Sequence, residues 1–220
     1  MLTADLINKN IPRLQLQDSI SKALQLTNDF RLSHLPVVSE GKFLGLISEE
    51  DLMDAEDEKK PVEILQNNFL QSSVAGHVHF LNAVSIIIQA DANIVAVVNA
   101  DISYAGVITS RDLLNILGNF AGANEIGGLI VLEMERTQFA ISEISRIVES
   151  NDSTILHLNT TVDDATGLLT VTLHISKREV AAIISSFERY DYHVLYYLGN
   201  EKFENEIDTN FRHLMNYLDV

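Results

Sequence analysis

Apolar and polar positions recur along the first half of the chain in one order, twice. HLPVV (residues 34–38) and KFLGLI (residues 42–47) are apolar runs parted by a turn at Gly41, and GLISEEDL (residues 45–52) closes the unit. IVAVV (residues 94–98) and YAGVI (residues 104–108) follow the same plan around the turn Asn99-Ala100-Asp101, and GVITSRDLL (residues 106–114) repeats the closing phrase. Short apolar runs bounded by Gly, Asn and Asp predict strands joined in hairpins, and a hydroxyl residue three before an Asp predicts a helix start after each second strand. His34 aligns with Ile94 at an offset of 60 and Asp51 with Asp112 at 61, so the second hairpin turn is one residue longer. Helical spacing precedes each hairpin: Ile20, Ala23, Leu24 and Thr27 behind a cap at Asp18-Ser19, and Ala83, Val84, Ile87 and Ile88 behind Asn82. Each unit therefore reads helix, strand, strand, helix, over residues 1–57 and 63–120, with DAEDEKK (residues 54–60) and Pro61 as a charged connector. A unit this small buries too little surface alone, so the two are expected to pack on one another.

Past Gly118 the pattern changes. GGLIVLEM (residues 127–134) predicts a strand, Ala140, Ile144, Ile147 and Val148 a helix, and STILHLNTTV and GLLTVTLHI two strands joined by a turn over residues 163–167. In the second of these, Leu169, Val171, Leu173 and Ile175 alternate with Leu168, Thr170, Thr172 and His174, the period of a strand. Val180, Ile183, Ile184 and Phe187 make a second helix and HVLYYL a final strand. The order over residues 125–199 is β-α-β-β-α-β, a split arrangement that builds a four-stranded antiparallel sheet with both helices on one face. Residues 200–220 carry a last predicted helix, with Phe203, Ile207, Phe211, Leu214 and Leu218 on one side. The fold class expected is thus α/β for the paired units and α+β for residues 125–199.

A mean hydropathy of +0.10 fits an ordered globular chain, and no run of about 18 apolar residues predicts a membrane span. No basic flank with an apolar stretch follows the start, and cysteine is absent, which together predict a cytoplasmic protein. The formal charge of −16 argues against nucleic acid and anionic membranes as main partners, because a phosphate backbone needs clustered Lys and Arg. A small phosphate-bearing ligand would need a local positive group.

The tandem units, with HLPVV…GLISEEDL and IVAVV…GVITSRDLL, resemble a pair of CBS domains, the modules named after cystathionine β-synthase. The following 75 or so residues resemble a ferredoxin-like ACT domain, and the order CBS–CBS–ACT is similar to that of accessory proteins of the acetoin-utilisation type. This resemblance implies a regulatory, non-catalytic protein that needs no cofactor and binds an adenosine-type nucleotide: AMP, ADP, ATP or S-adenosylmethionine. It implies that Ser48 and Asp51 in the first copy, and Thr109 and Asp112 in the second, meet phosphate and ribose. Ile47, Val107 and the aliphatics of both strands would flank the base. The chemistry is sound in itself: a carboxylate accepts two hydrogen bonds from a cis-diol, and a helix N-terminus offers free N–H groups to phosphate. Both phrases are equally capping boxes, in which hydroxyl and acid satisfy the first turn of the helix.

The two copies differ in charge. Glu49-Glu50 suits a helix dipole with nothing bound and repels phosphate, whereas Ser110-Arg111 places a guanidinium fork where it could pair with phosphate oxygens. If one cleft binds a nucleotide, it is expected to be the one with Thr109, Arg111 and Asp112. The ACT-like part has Glu135-Arg136-Thr137-Gln138-Phe139 where that family carries Asp, Pro and Gly in its ligand loop, so homodimerisation rather than amino-acid binding is its expected task. His77 and His79, spaced to share a face of a strand, have no third metal ligand signalled. No phosphate-binding glycine loop, nucleophile elbow or other familiar catalytic motif is present. The alternative reading is a ligand-independent dimeric scaffold whose two phrases are only caps.

Overall fold

The computed structural model describes residues 1–199, so the helix expected over residues 203–218 lies outside the described residues. The chain separates into two units, Met1–Leu117 and Gly118–Val220. In the first, α1 (Ile20–Phe30) starts where the sequence places it, with the Ser19 hydroxyl accepting from the Lys22 amide at 3.2 Å. The hairpin of β1 (His34–Ser39) and β2 (Lys42–Ser48) follows, then the short α2 (Glu49–Met53). The second repeat supplies β3 (Ser73–Ala75), α3 (Phe80–Ala90), β4 (Ile94–Val98), β5 (Tyr104–Thr109) and α4 (Ser110–Phe120).

Two details differ from the sequence pattern. Each repeat opens on an extended segment that lies parallel to its first hairpin strand: β3 pairs with β4, and Leu14 bridges to Val37. These segments are too short to show an alternation of their own. Helix α3 begins at Phe80 rather than after Asn82, because the His79 ring accepts from the Leu81 amide at the helix start. His77 and His79 consequently sit in a turn and a cap, not side by side on a strand.

The apolar runs are continuous because their strands are covered on both faces. Along β4, Ile94 and Ala96 join Val107 in a core with Leu14, Ile20, Leu35, Leu46 and Leu52 of the first repeat. Val95 and Val97 point the other way, into a core with Phe80, Ala83, Ile108 and Leu113 of their own repeat. One strand thus serves both the inside of its repeat and the seam between the two repeats, which is why neither repeat could stand alone.

The leading segments are exchanged. Asn8 N–H donates to Val107 O of β5 at 2.7 Å, while Leu70 and Leu46 of β2 exchange two backbone bonds of 2.8 Å. The segment before the first repeat therefore extends the second repeat's hairpin, and the segment before the second repeat extends the first's. This crossing explains the glycine that opens each phrase. Gly45 and Gly106 both have φ near +150°, and a Cβ on Gly45 would lie 2.7 Å from Phe69 Cβ, while one on Gly106 would overlap Ile7 Cγ2.

The second unit contains β6 (Gly128–Met134), α5 (Ile141–Glu149), β7 (Ile155–Val162), β8 (Leu169–Ile175), α6 (Ala181–Arg189) and β9 (His193–Leu198). The sheet runs β7-β8-β6-β9 with every neighbour antiparallel, the arrangement expected of the split order. Ile130, Leu132 and Met134 of β6 and the buried set of β8 form one core with Ile144 and Ile147 of α5 and Ile183 and Phe187 of α6. Both helices therefore cover one face. The turn over residues 163–167 is held by Asp163, whose carboxylate accepts from the Ala165 and Thr166 amides at 2.9 and 2.8 Å.

Candidate functional site

The repeated phrase ends each hairpin and starts the next helix, so its polar groups gather at one place in each copy. In the first, the Asp51 amide donates to Ser48 Oγ at 3.0 Å, and the Ser48 hydroxyl donates to the Asp51 carboxylate. In the second, the Asp112 amide donates to Thr109 Oγ1 at 3.1 Å, the Thr109 hydroxyl donates to Asp112 Oδ2 at 2.7 Å, and the Thr109 amide reaches the same oxygen at 3.4 Å. The second copy is the fuller capping box.

The exchanged segments add a third partner. Asn68 Nδ2 donates to Asp51 Oδ1 at 2.6 Å, and Asn8 Nδ2 donates to Asp112 Oδ2 at 3.5 Å. The same amide–carboxylate pairing thus occurs twice, tight in the first copy and barely closed in the second. Asp112 opens into a cavity of about 590 Å³ lined by Asn8, Lys9, Asn10, Asn115 and Ile116 among others. A second cavity of about 330 Å³ lies on the other side of Asn8 and Lys9, against Arg13, Tyr104 and Gly106. Burial pushes the Tyr104 phenol up to about 12, with Arg13 pulling the other way, so Tyr104 faces that cavity as a neutral hydroxyl. Half-buried His34, paired with Ser48 across the first hairpin, is held below its ordinary value by burial, against the opposing pull of Asp51 and Asp91.

Residues 4–58 match the CBS domain family. Over 55% of this chain and 98% of the other, the fold matches a CBS domain pair/ACT domain protein from Thermotoga maritima, with a TM-score of 0.50 at 18% identity. The first unit has the fold of a CBS domain pair. A Vibrio cholerae protein named for acetoin utilization (AcuB) matches at a TM-score of 0.47 and 20% identity, over 56% of this chain and 95% of its own. CBSX2, solved in complex with AMP, matches at 0.47 and 18%, over 54% and 97%.

Within the CBS pair, the residues singled out from sequence fall into two groups. Ser48, Asp51, Thr109 and Asp112 are brought together as cap pairs, and Asp112 also faces a cavity. Ile47 and Val107 are fully buried in the shared core and line neither cavity beside Asn8. Arg111 is exposed and forms no ion pair among the described residues, while the cations that line the two cavities are Lys9 and Arg13. Sequence reading missed both, along with Asn8. The available signal was the 60-residue offset between Asn8 and Asn68, which becomes legible only once the leading segments are seen as part of the repeat.

Among the described residues, no group of three or more His, Asp or Glu is placed to hold a metal ion. No described helix is long and apolar enough to cross a membrane.

Proposed function

We propose that this protein is a cytoplasmic, non-catalytic regulator whose CBS pair binds an adenosine-type nucleotide in the cleft of the second phrase. The observation that carries the reading is the Asp112 carboxylate, which faces a cavity that also holds Lys9. A ribose diol would take Asp112 as its double acceptor, in place of the long bond from Asn8. Lys9 would meet the phosphate, with Arg13 and the exposed Arg111 as further cations for a di- or triphosphate. This refines the sequence expectation, in which Arg111 was the main phosphate partner.

Such a ligand would act by population shift. It would bridge α4 of the second repeat to the segment that leads into the first, and so favour one packing of the pair. The second unit would then dimerise through a free edge of its sheet and pass the change to a protein partner. The test is a thermal-shift and calorimetric series with AMP, ADP, ATP and S-adenosylmethionine. Selective stabilisation, lost in Asp112→Ala and weakened in Lys9→Ala, supports the reading. A flat response across all four ends it.

A ligand-independent scaffold is the second reading, and the first copy favours it. There Asp51 is engaged by both Ser48 and Asn68, and Glu49 and Glu50 occupy the first helical turn. We therefore assign the first phrase a capping role in either case.

A further inference from the structure

The four-stranded sheet has a second face, turned away from α5 and α6, and that face carries a cavity of about 650 Å³. The register aligns its floor. His157 of β7 lies opposite His174 of β8, His174 opposite Leu129 of β6, and Leu129 opposite Leu198 of β9. Asn159 and Thr172 form the adjoining cross-strand pair on the same face. Arg178 and Glu125 complete the ionisable groups of the lining.

The His174 ring is admitted by two glycines. A Cβ on Gly122 would lie 3.3 Å from its Nδ1, and one on Gly127 would lie 3.1 Å from its Nε2. The Phe120 ring stands edge-on to His157 at 6.2 Å between centroids. Among the described residues, neither imidazole forms a hydrogen bond or ion pair, nor does Arg178. Two half-buried imidazoles and the half-buried Thr172 hydroxyl, with the exposed Arg178 guanidinium and Asn159 amide at the rim, therefore converge on one space without side-chain partners among the described residues. A concave space with a few convergent polar groups beside an apolar wall is the form that small-ligand sites take.

We infer that this cavity is a second ligand site, and that its ligand is a small organic monocarboxylate with a short hydrocarbon chain. The charge count sets the class. The lining holds one guanidinium, Arg178, and one acid, Glu125, so it offers a single permanent positive charge, and the imidazoles supply N–H donors that suit one carboxylate group better than a phosphate dianion. Leu129, Leu198 and Ala123 give the hydrocarbon part an apolar wall. The site is independent of the nucleotide reading, since every lining residue belongs to the second unit.

The experiment uses the full chain, with long-range proton–nitrogen NMR of the imidazoles and calorimetry, and isovalerate as the probe. Uncharged isovaleramide and inorganic phosphate serve as comparisons. Isovalerate is expected to move the His157 and His174 resonances saturably, with isovaleramide and phosphate silent. Arg178→Gln should weaken binding at least about tenfold, the scale of one lost charge-assisted contact. Ala123→Trp, at an exposed position, should abolish binding by filling the space while a native spectrum elsewhere shows the fold intact. Asp112→Ala should leave it unchanged. The inference is overturned if the resonances stay still up to about 20 mM isovalerate, a concentration ample for a ligand of this size. Equal binding of phosphate overturns the carboxylate class. Contacts from the imidazoles to residues 200–220 in the unliganded chain overturn the site as a ligand site.

Discussion

Asn8 donates to Asp112 across 104 positions of sequence, and the bond, at 3.5 Å, is the loose counterpart of the 2.6 Å bond from Asn68 to Asp51. A carboxylate held at 2.6 Å has little to gain by changing partner. One held at 3.5 Å gives up little when a ribose diol replaces the amide.

One nucleotide per CBS pair follows from that difference. Calorimetry with AMP should give a stoichiometry of one, Asp112→Ala should lower affinity at least about tenfold, and Asp51→Ala should leave it within about threefold. Two equivalent sites, or the reverse order of effects, would remove Asp112 from its proposed role.

Gly106→Ala should destabilise the first unit by about 2–4 kcal/mol, since the added methyl meets Ile7 at a backbone conformation that disfavours side chains. Adding Ile7→Ala should recover about 1 kcal/mol of that loss, because it removes the obstructing branch. Denaturant unfolding of the four combinations measures the coupling. Strict additivity would mean that the crossing segment is absent from β5 in solution.

Acid should cost stability through His34. Burial lowers its folded-state value from the ordinary 6.5, so the unfolded chain binds the proton first. Stability from this group is therefore complete above about pH 6.5 and falls as pH drops through the window between the unfolded and folded values. His34→Gln should flatten the difference in unfolding free energy between about pH 7.5 and 5.5 relative to the parent. An unchanged slope would place the acid sensitivity elsewhere.

Association is expected through β9, one of the two sheet edges, where Leu195 and Tyr196 are 42% and 51% exposed. The opposite edge, β7, parts its exposed Leu156 and Val162 with the polar run Asn159, Thr160 and Thr161, whereas Leu195 and Tyr196 are adjacent. Sedimentation should show a dimer that dissociates when Leu195 and Tyr196 are both replaced by Lys, with little change in melting temperature because both sites are exposed. A dimer that survives the double change would have to use another surface.

Elements that repeat or alternate were legible from the residues alone. The two hairpins declared themselves by their paired apolar runs, and the strand order of the second unit followed from its period-two and helical spacings, as with Leu169 to Ile175. The extended segments at Leu14 and Ser73–Ala75 were not, since three residues or fewer carry no periodicity. The start of α3 was misplaced because His79 caps it with a ring nitrogen, and imidazole is a rare cap. At the site, hydroxyl and acid could be read within one phrase, but Lys9 and Asn8 could not. Their relation to Asp112 is set by the crossing of the chain rather than by any local spacing.

That crossing also has a temporal side. The backbone bond from Asn8 to Val107 joins the chain's first residues to a strand made almost a hundred residues later. During synthesis at about 5–20 residues per second, the opening segment waits for several seconds or more before its partner emerges. The first hairpin, by contrast, needs only residue 70 to be covered along β2. A change that detaches the segment around Asn8 would accordingly disturb the last part of the pair to assemble, and with it the cleft at Asp112.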